Sequence, residues 1–255
     1  PAAAQAAPAA TAAKAAPAAA QAAPAAPKAV QKGEVLEGQK AMVLGAITKD
    51  EIKGAKYGGQ ARALQYASAN NLDRPDITGQ YGDALLGGLY NKLFEWNPFN
   101  PVESIPELAL GWTVADDNKT YTIKLRPGVT WHDGEPFTAD DVVGTWTYYL
   151  YKYNNFSRGR RVGGFLKRFV DPVNGYGSFK VVDDLTVEVT LGAPSAGFIP
   201  TITSAQHWML PEHRTRITIA EMEEKETNRF LATGDDNPPI GTGPFSYKKW
   251  AQDIS

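Results

Sequence analysis

Between Thr120 and Trp146 the chain reads TYTIKLRPGVTWHDGEPFTADDVVGTW, and its apolar spacing changes period partway through. Tyr121, Ile123 and Leu125 alternate with Thr122 and Lys124, the pattern of a half-buried strand. From Thr138 the pattern becomes helical and continues to Tyr153. Thr138 is a good N-cap, and Asp141 can reach back to it as a short capping box. Asp140 and Asp141 also suit the positive end of the helix dipole. Asp133-Gly134 supplies the turn between strand and helix, because Gly adopts positive φ without a Cβ clash. A fold that accepts this run must mix sheet and helix.

The same alternation marks two hairpins. WTVADDNKTYTIKLRPGV turns at Asp116-Asp117-Asn118, and FKVVDDLTVEVTL turns at Asp183-Asp184, with Leu185, Val187, Val189 and Leu191 on one face. Asp83–Phe94 carries apolar residues at helical spacing despite two glycines, and Ser195–Ile202 and Thr218–Leu231 read as further helices. Ala61–Ala67 is expected as a strand, followed by a polar loop over Ser68–Tyr81. NPFNPVESIPELALGW reads as Pro-rich loop with a helical turn near Glu107–Ala109. Strands and helices mix without regular βαβ alternation, so the expected class is α/β in the mixed α+β sense.

Residues 1–33 are Ala/Pro-rich: recurring prolines break every alanine run before it reaches stable helical length. The segment reads as a disordered, semi-extended linker. Residues 34–56 are transitional, and the folded body is expected over 57–255. With 26 basic against 28 acidic residues, nothing favours a polyanion, so nucleic acid is not an expected partner. The chain has no cysteine, which excludes disulfides, thiol catalysis and thiolate metal sites. Its aromatic supply of 11 Tyr, 10 Phe and 6 Trp suits a core or a stacking site for a ligand.

His132, Asp133 and Glu135 form the one cluster that looks like chemistry. A metal-dependent hydrolase centred on them is the reading from a different class. Adjacent residues seldom converge on one ion, however, and the other histidines, His207 and His213, lie in a separate segment. As an acid–base pair, Asp133 and Glu135 lack the apolar burial that tunes a carboxyl. A strand end, an Asp-Gly turn and a capped helix account for the same residues. Hence no catalytic residue, metal ligand or cofactor is expected.

YTIKLRPGVTWHDGEPFTADDVV closely resembles the signature of the family 5 extracellular solute-binding proteins of ABC importers, the dipeptide/oligopeptide-binding type. NNLDRPDITGQYGD, IPELALGWTVADDNKTYT and PPIGTGPFSYKKW resemble three further family landmarks in the same order, so the likeness runs from about Tyr57 to Trp250. One departure is Arg74, which intervenes where the family reads Leu-Asp-Pro. The resemblance implies a lobe of the periplasmic-binding-protein-like type II fold, incomplete because the second lobe is missing from a truncated chain. It also implies that two lobes close around a ligand and deliver it to a permease, with no bond made or broken. The ligand would be a peptide, or an oligosaccharide in a sugar-binding member; a sensor or structural domain on the same fold is a third reading. The partners expected are that ligand and an ABC permease, with the protein a monomer. Its location would be periplasmic or extracellular, tethered to the outer face of the cytoplasmic membrane by a lipidated cysteine upstream of Pro1, with residues 1–33 as spacer.

Carried over by position, the resemblance places Thr78, Gly79, Gln80 and Tyr81 against the ligand backbone. Tyr151 and Tyr153 fall where family members place aromatic cleft residues. Gln206, His207 and Trp208 offer donors and a stacking face. Arg158, Arg160 and Arg161 read as a solvated basic loop.

Overall fold

The computed structural model describes residues 40–42, 72, 86–97, 100–155, 160–170, 178–204, 207–225 and 234–249. Its strands are β1 (Lys40–Met42), β2 (Phe94–Asn97), β3 (Asn100–Pro106), β4 (Ala109–Val114), β5 (Thr120–Leu125), β6 (Phe179–Asp183) and β7 (Thr186–Thr190). Its helices are α1 (Ala139–Asn155), α2 (Arg160–Lys167), α3 (Phe198–Thr203) and α4 (Glu212–Lys225). The fold is mixed α and β.

The two expected hairpins are present and join each other. β4–β5 and β6–β7 pair through β5 and β7 in a five-stranded sheet of order β1-β4-β5-β7-β6, antiparallel at every step. Tyr121, Ile123 and Leu125 all face inward and are buried, as period-two alternation requires. Asp117 closes the first turn: Oδ1 accepts the Lys119 and Thr120 N–H groups and Oδ2 accepts the Thr120 hydroxyl. In the second, Asp183 Oδ1 accepts the Leu185 N–H at 2.9 Å.

Helix α1 covers one face of this sheet, and aromatic rings fill the space between. Trp146 is fully buried, 5.0 Å from Phe179 and 6.3 Å from Phe198 between ring centroids; Tyr121 meets Phe198 edge-on at 5.0 Å. Asp141 fixes the start of α1, its Oδ2 accepting the Thr138 N–H at 2.8 Å as the capping-box pattern requires. Its Oδ1 accepts the Glu212 N–H at 2.7 Å, so the same carboxylate also caps α4. Together with Pro211, that contact starts α4 at Glu212 rather than at the expected Thr218.

Four further expectations are corrected. Helix over Asp83–Phe94 gives way after Leu86 to a turn and then β2, because consecutive Gly87 and Gly88 deprive the helix of propensity where it would have to continue. The Pro-rich stretch is the two-stranded β2–β3 sheet followed by β4, not a loop with a helical turn. Among the described residues β3 pairs with β2 alone, so the missing N–H of Pro101 or Pro106 can face away from that ladder. Arg160 and Arg161 open helix α2 rather than lying in a loop. Gly163 lets this helix approach α1 closely, since a Cβ there would stand 2.4 Å from Tyr149 O. Helix α3 is shorter than expected at its start, beginning at Phe198. Arg158 and the expected strand Ala61–Ala67 lie outside the described residues.

Candidate ligand-binding site

The sequence-derived candidates fall into two groups. Thr78, Gly79, Gln80, Tyr81 and Gln206 lie outside the described residues. Tyr151 and Tyr153 sit half-buried on the last turns of α1, and His207 and Trp208 begin a short extended segment, 207–211, that runs beside the same helix.

That segment is held at nearly every residue. Tyr149 Oη donates to Trp208 O at 2.6 Å. Thr145 Oγ1 accepts the Leu210 N–H at 2.8 Å and lies 2.9 Å from Leu210 O. The Met209 N–H donates to Asn91 O at 2.9 Å. His207 is fully buried, its ring 6.5 Å from that of Phe165, and Trp208 is only 7% exposed. Both side chains therefore lie beneath the surface of the lobe. Tyr153 packs across Gly163 and Gly164 of α2, while Tyr149 on the same helix makes the contact to the 207–211 segment.

Residues the sequence reading passed over tie this region together. Asn91 is the junction: its Nδ2 donates to Glu107 Oε1 at 2.6 Å, its Oδ1 accepts the Thr242 hydroxyl at 2.9 Å, and its carbonyl holds Met209. Glu107 also accepts the Lys92 N–H at 2.7 Å. Burial pushes the Glu107 carboxyl above the usual carboxylate range, and these two donors partly offset it. Lys92 is 3% exposed, and its Nζ donates to Thr203 O at 3.0 Å, pairs with Glu95 at 2.7 Å and sits 5.1 Å above the Trp208 ring. A buried ammonium needs such partners to remain charged. The signal available in the sequence was one lysine inside the apolar run LLGGLYNKLF, which no periodicity rule explains.

The cluster around His132 serves structure. Its backbone N–H donates to Gly241 O at 2.9 Å, its Nδ1 accepts the Gly241 N–H at 3.2 Å, and its Nε2 lies 2.9 Å from Gly243 O. Both ring nitrogens are thus committed to backbone. Asp133 Oδ1 accepts the Glu135 N–H within the turn, where Gly134 has φ +94°, and Oδ2 pairs with His213 Nε2 at 3.0 Å. Among the described residues no group of three or more His, Asp or Glu side chains could hold a metal ion. The segment that His132 holds is itself pressed against the Gly88–Leu89 backbone, where Gly243 N–H donates to Leu89 O and Phe245 N–H to Gly88 O. A Cβ at Gly241 would stand 1.8 Å from Leu89 O, and one at Gly243 2.6 Å from Gly88 O, so only glycine fits at either place.

The chain is similar to known proteins in sequence and in fold. The chain is 33% identical over 211 residues to the dipeptide-binding protein of Escherichia coli, covering 76% of this chain and 36% of that protein. It is 28% identical over 180 residues to the Bacillus subtilis dipeptide-binding protein DppE, covering 63% and 30% respectively. In structure it is similar to peptide-bound OppA of Listeria monocytogenes, with a TM-score of 0.58 and 24% identity over 73% of this chain and 35% of that one. It is also similar to NikZ of Campylobacter jejuni in complex with Ni(L-His), with a TM-score of 0.54 and 26% identity over 73% and 32%. The chain thus spans about a third of the length of the relatives it matches. Residues 103–255 match the profile of the bacterial extracellular solute-binding proteins, family 5, middle region, and the chain belongs to that family.

Proposed function

We propose that this chain supplies one lobe of the substrate-binding component of an ABC importer, which captures peptides outside the cytoplasmic membrane and hands them to a membrane permease. The observation that carries this reading is the 33% identity to a dipeptide-binding protein across 211 residues, 76% of this chain. The protein works by binding: hinge closure of two lobes sequesters the ligand, and no bond is made or broken. On this reading residues 1–33 are a spacer between a lipidated N-terminus and the folded body, and the protein acts as a monomer. Among the described residues no helix is long and apolar enough to cross a membrane.

As ligand contacts we assign Thr78, Gly79, Gln80, Tyr81 and Gln206, together with the half-buried Tyr151 and Tyr153. His207 and Trp208 complete the assignment as buried residues of a segment held in place by Tyr149 and Asn91. Titration calorimetry of the purified protein against di- to pentapeptides, a cello-oligosaccharide and a nickel–histidine complex tests the assignment. Heat of binding with peptides alone is expected. Binding of the sugar or of the nickel complex without any peptide binding would overturn it.

A further inference from the structure

The His132 ring makes two contacts that together determine its protonation. Gly243 O can only accept, so Nε2 must carry the hydrogen; the Gly241 N–H can only donate, so Nδ1 must be bare. The two contacts together fit the Nε2–H form of the ring. Both contacts fall on the 241–245 segment, which is distant in sequence from the strand–turn–helix run that carries His132. That segment in turn reaches the lobe through Leu89 O, Gly88 O and the Thr242–Asn91 hydrogen bond. The ring is half-buried at the surface of the lobe, so a proton from solvent can reach it.

We propose that His132 is a proton-operated latch: its neutral ring pins the Gly241–Phe245 segment to the lobe, and a proton on Nδ1 releases it. Protonation converts Nδ1 from acceptor to donor and sets it against the Gly241 N–H. The segment then loses one hydrogen bond and gains a repulsion at its closest approach to the lobe. The titratable groups around the ring are Asp133 and Glu135 on its own turn, Asp141 at the start of α1, and Glu212 and His213 on α4. On the stretch beneath the segment they are Lys92 and Glu107; the 241–245 segment carries none. Asp133 is already paired with His213, which limits its help to a charged His132. Release would reach the Asn91 junction through Thr242, and with it the Met209 anchor of the 207–211 segment. The latch rests on these contacts and stands whether or not the ligand is a peptide.

Amide hydrogen exchange by NMR on the 255-residue protein tests it, followed from about pH 8 to about pH 5, the interval in which imidazoles change charge. After normalisation to unstructured rates, protection at Gly241, Gly243 and Phe245 is expected to fall together by about tenfold. The amides of Ala115 and Leu191, in the hairpins of the main sheet, should not follow. In His132→Gln the carboxamide can still accept from one glycine and donate to the other but does not titrate, so the acid-induced loss should vanish. Ring nitrogen shifts of the unsubstituted protein give a reading that needs no variant, and they should show a bare Nδ1 at the alkaline end. Protection at Gly241 that is independent of pH, a loss confined to Gly241, or a hydrogen on Nδ1 at the alkaline end would each overturn the latch.

Discussion

Asp141 accepts a hydrogen bond from the N-terminal backbone of two helices, Thr138 N–H before α1 and Glu212 N–H at the start of α4. Each donor is one of the four that a helix start leaves without an intrahelical partner, and a side-chain cap is worth about 1 kcal/mol. Asp141→Ala is accordingly expected to cost about 2 kcal/mol in urea unfolding, and Asp141→Asn, which keeps one acceptor oxygen, about half of that. Equal stability of all three proteins would mean that water serves both donors. Glu107 makes a different prediction because burial places its folded-state pKa above the ordinary value. Its contribution to stability is complete in acid and is lost as pH rises through the raised value. Glu107→Gln stays neutral throughout. Its melting midpoint relative to the parent should therefore shift in the variant's favour between about pH 4 and about pH 7. A difference that does not change with pH would remove burial as the dominant influence on that carboxyl.

At the scale of elements, period and caps were legible and packing partners were not. The alternation of Tyr121, Ile123 and Leu125 and the Thr138–Asp141 cap are local, so a single stretch of chain displays them. The second oxygen of Asp141 acts on a residue 71 positions away, and no local pattern could show it. Two glycines also misled by context. In Leu86-Gly87-Gly88-Leu89 they end a helix, whereas in Arg161-Val162-Gly163-Gly164 they sit inside one, because α1 presses on α2 there. A Cβ at Gly163 would meet Tyr149 O at 2.4 Å and Tyr153 Cβ at 2.5 Å, while one at Gly164 meets only the Tyr153 ring at 3.2 Å. Alanine in a helix gains up to about 1 kcal/mol over glycine, but overpacking against fixed atoms costs roughly 1–3 kcal/mol. Gly163→Ala should therefore lower the unfolding free energy, whereas Gly164→Ala should be neutral or stabilising because a side-chain ring can yield. A Gly163→Ala protein at least as stable as the parent would show that the two helices can separate without loss.

For the molecule as a whole, the informative feature is how a late segment completes an early one. The main sheet does not run in sequence order, β1-β4-β5-β7-β6, and 241–245 returns to the Gly88–Leu89 backbone and to His132 across more than a hundred residues. The sequence displayed both halves, LLGGLYNKLF and GTGPF, but their fit depends on glycines meeting backbone oxygens, and composition carries no trace of that match. At the candidate site the sequence pointed to Tyr151, Tyr153, His207 and Trp208 by resemblance alone, and nothing local pointed to Asn91, which joins the 207–211 segment to Glu107 and Thr242. If the late segment is integral to the lobe, a chain stopped after residue 233 should lose more than local order. It would leave Leu89 O and Gly88 O without their donors and His132 without its acceptor, and Arg214 would lose Asn237. Hydrogen bonds worth about 1 kcal/mol each make this a loss of several kcal/mol. A chain of this size loses roughly 2–4 °C of melting midpoint per kcal/mol, so the shortened protein should melt about 10 °C lower or more. Tryptophan fluorescence and far-ultraviolet circular dichroism, followed together on heating, would register the change. An unchanged midpoint by both probes would mean that 241–245 only lies on the lobe and that the glycine contacts do not hold it together.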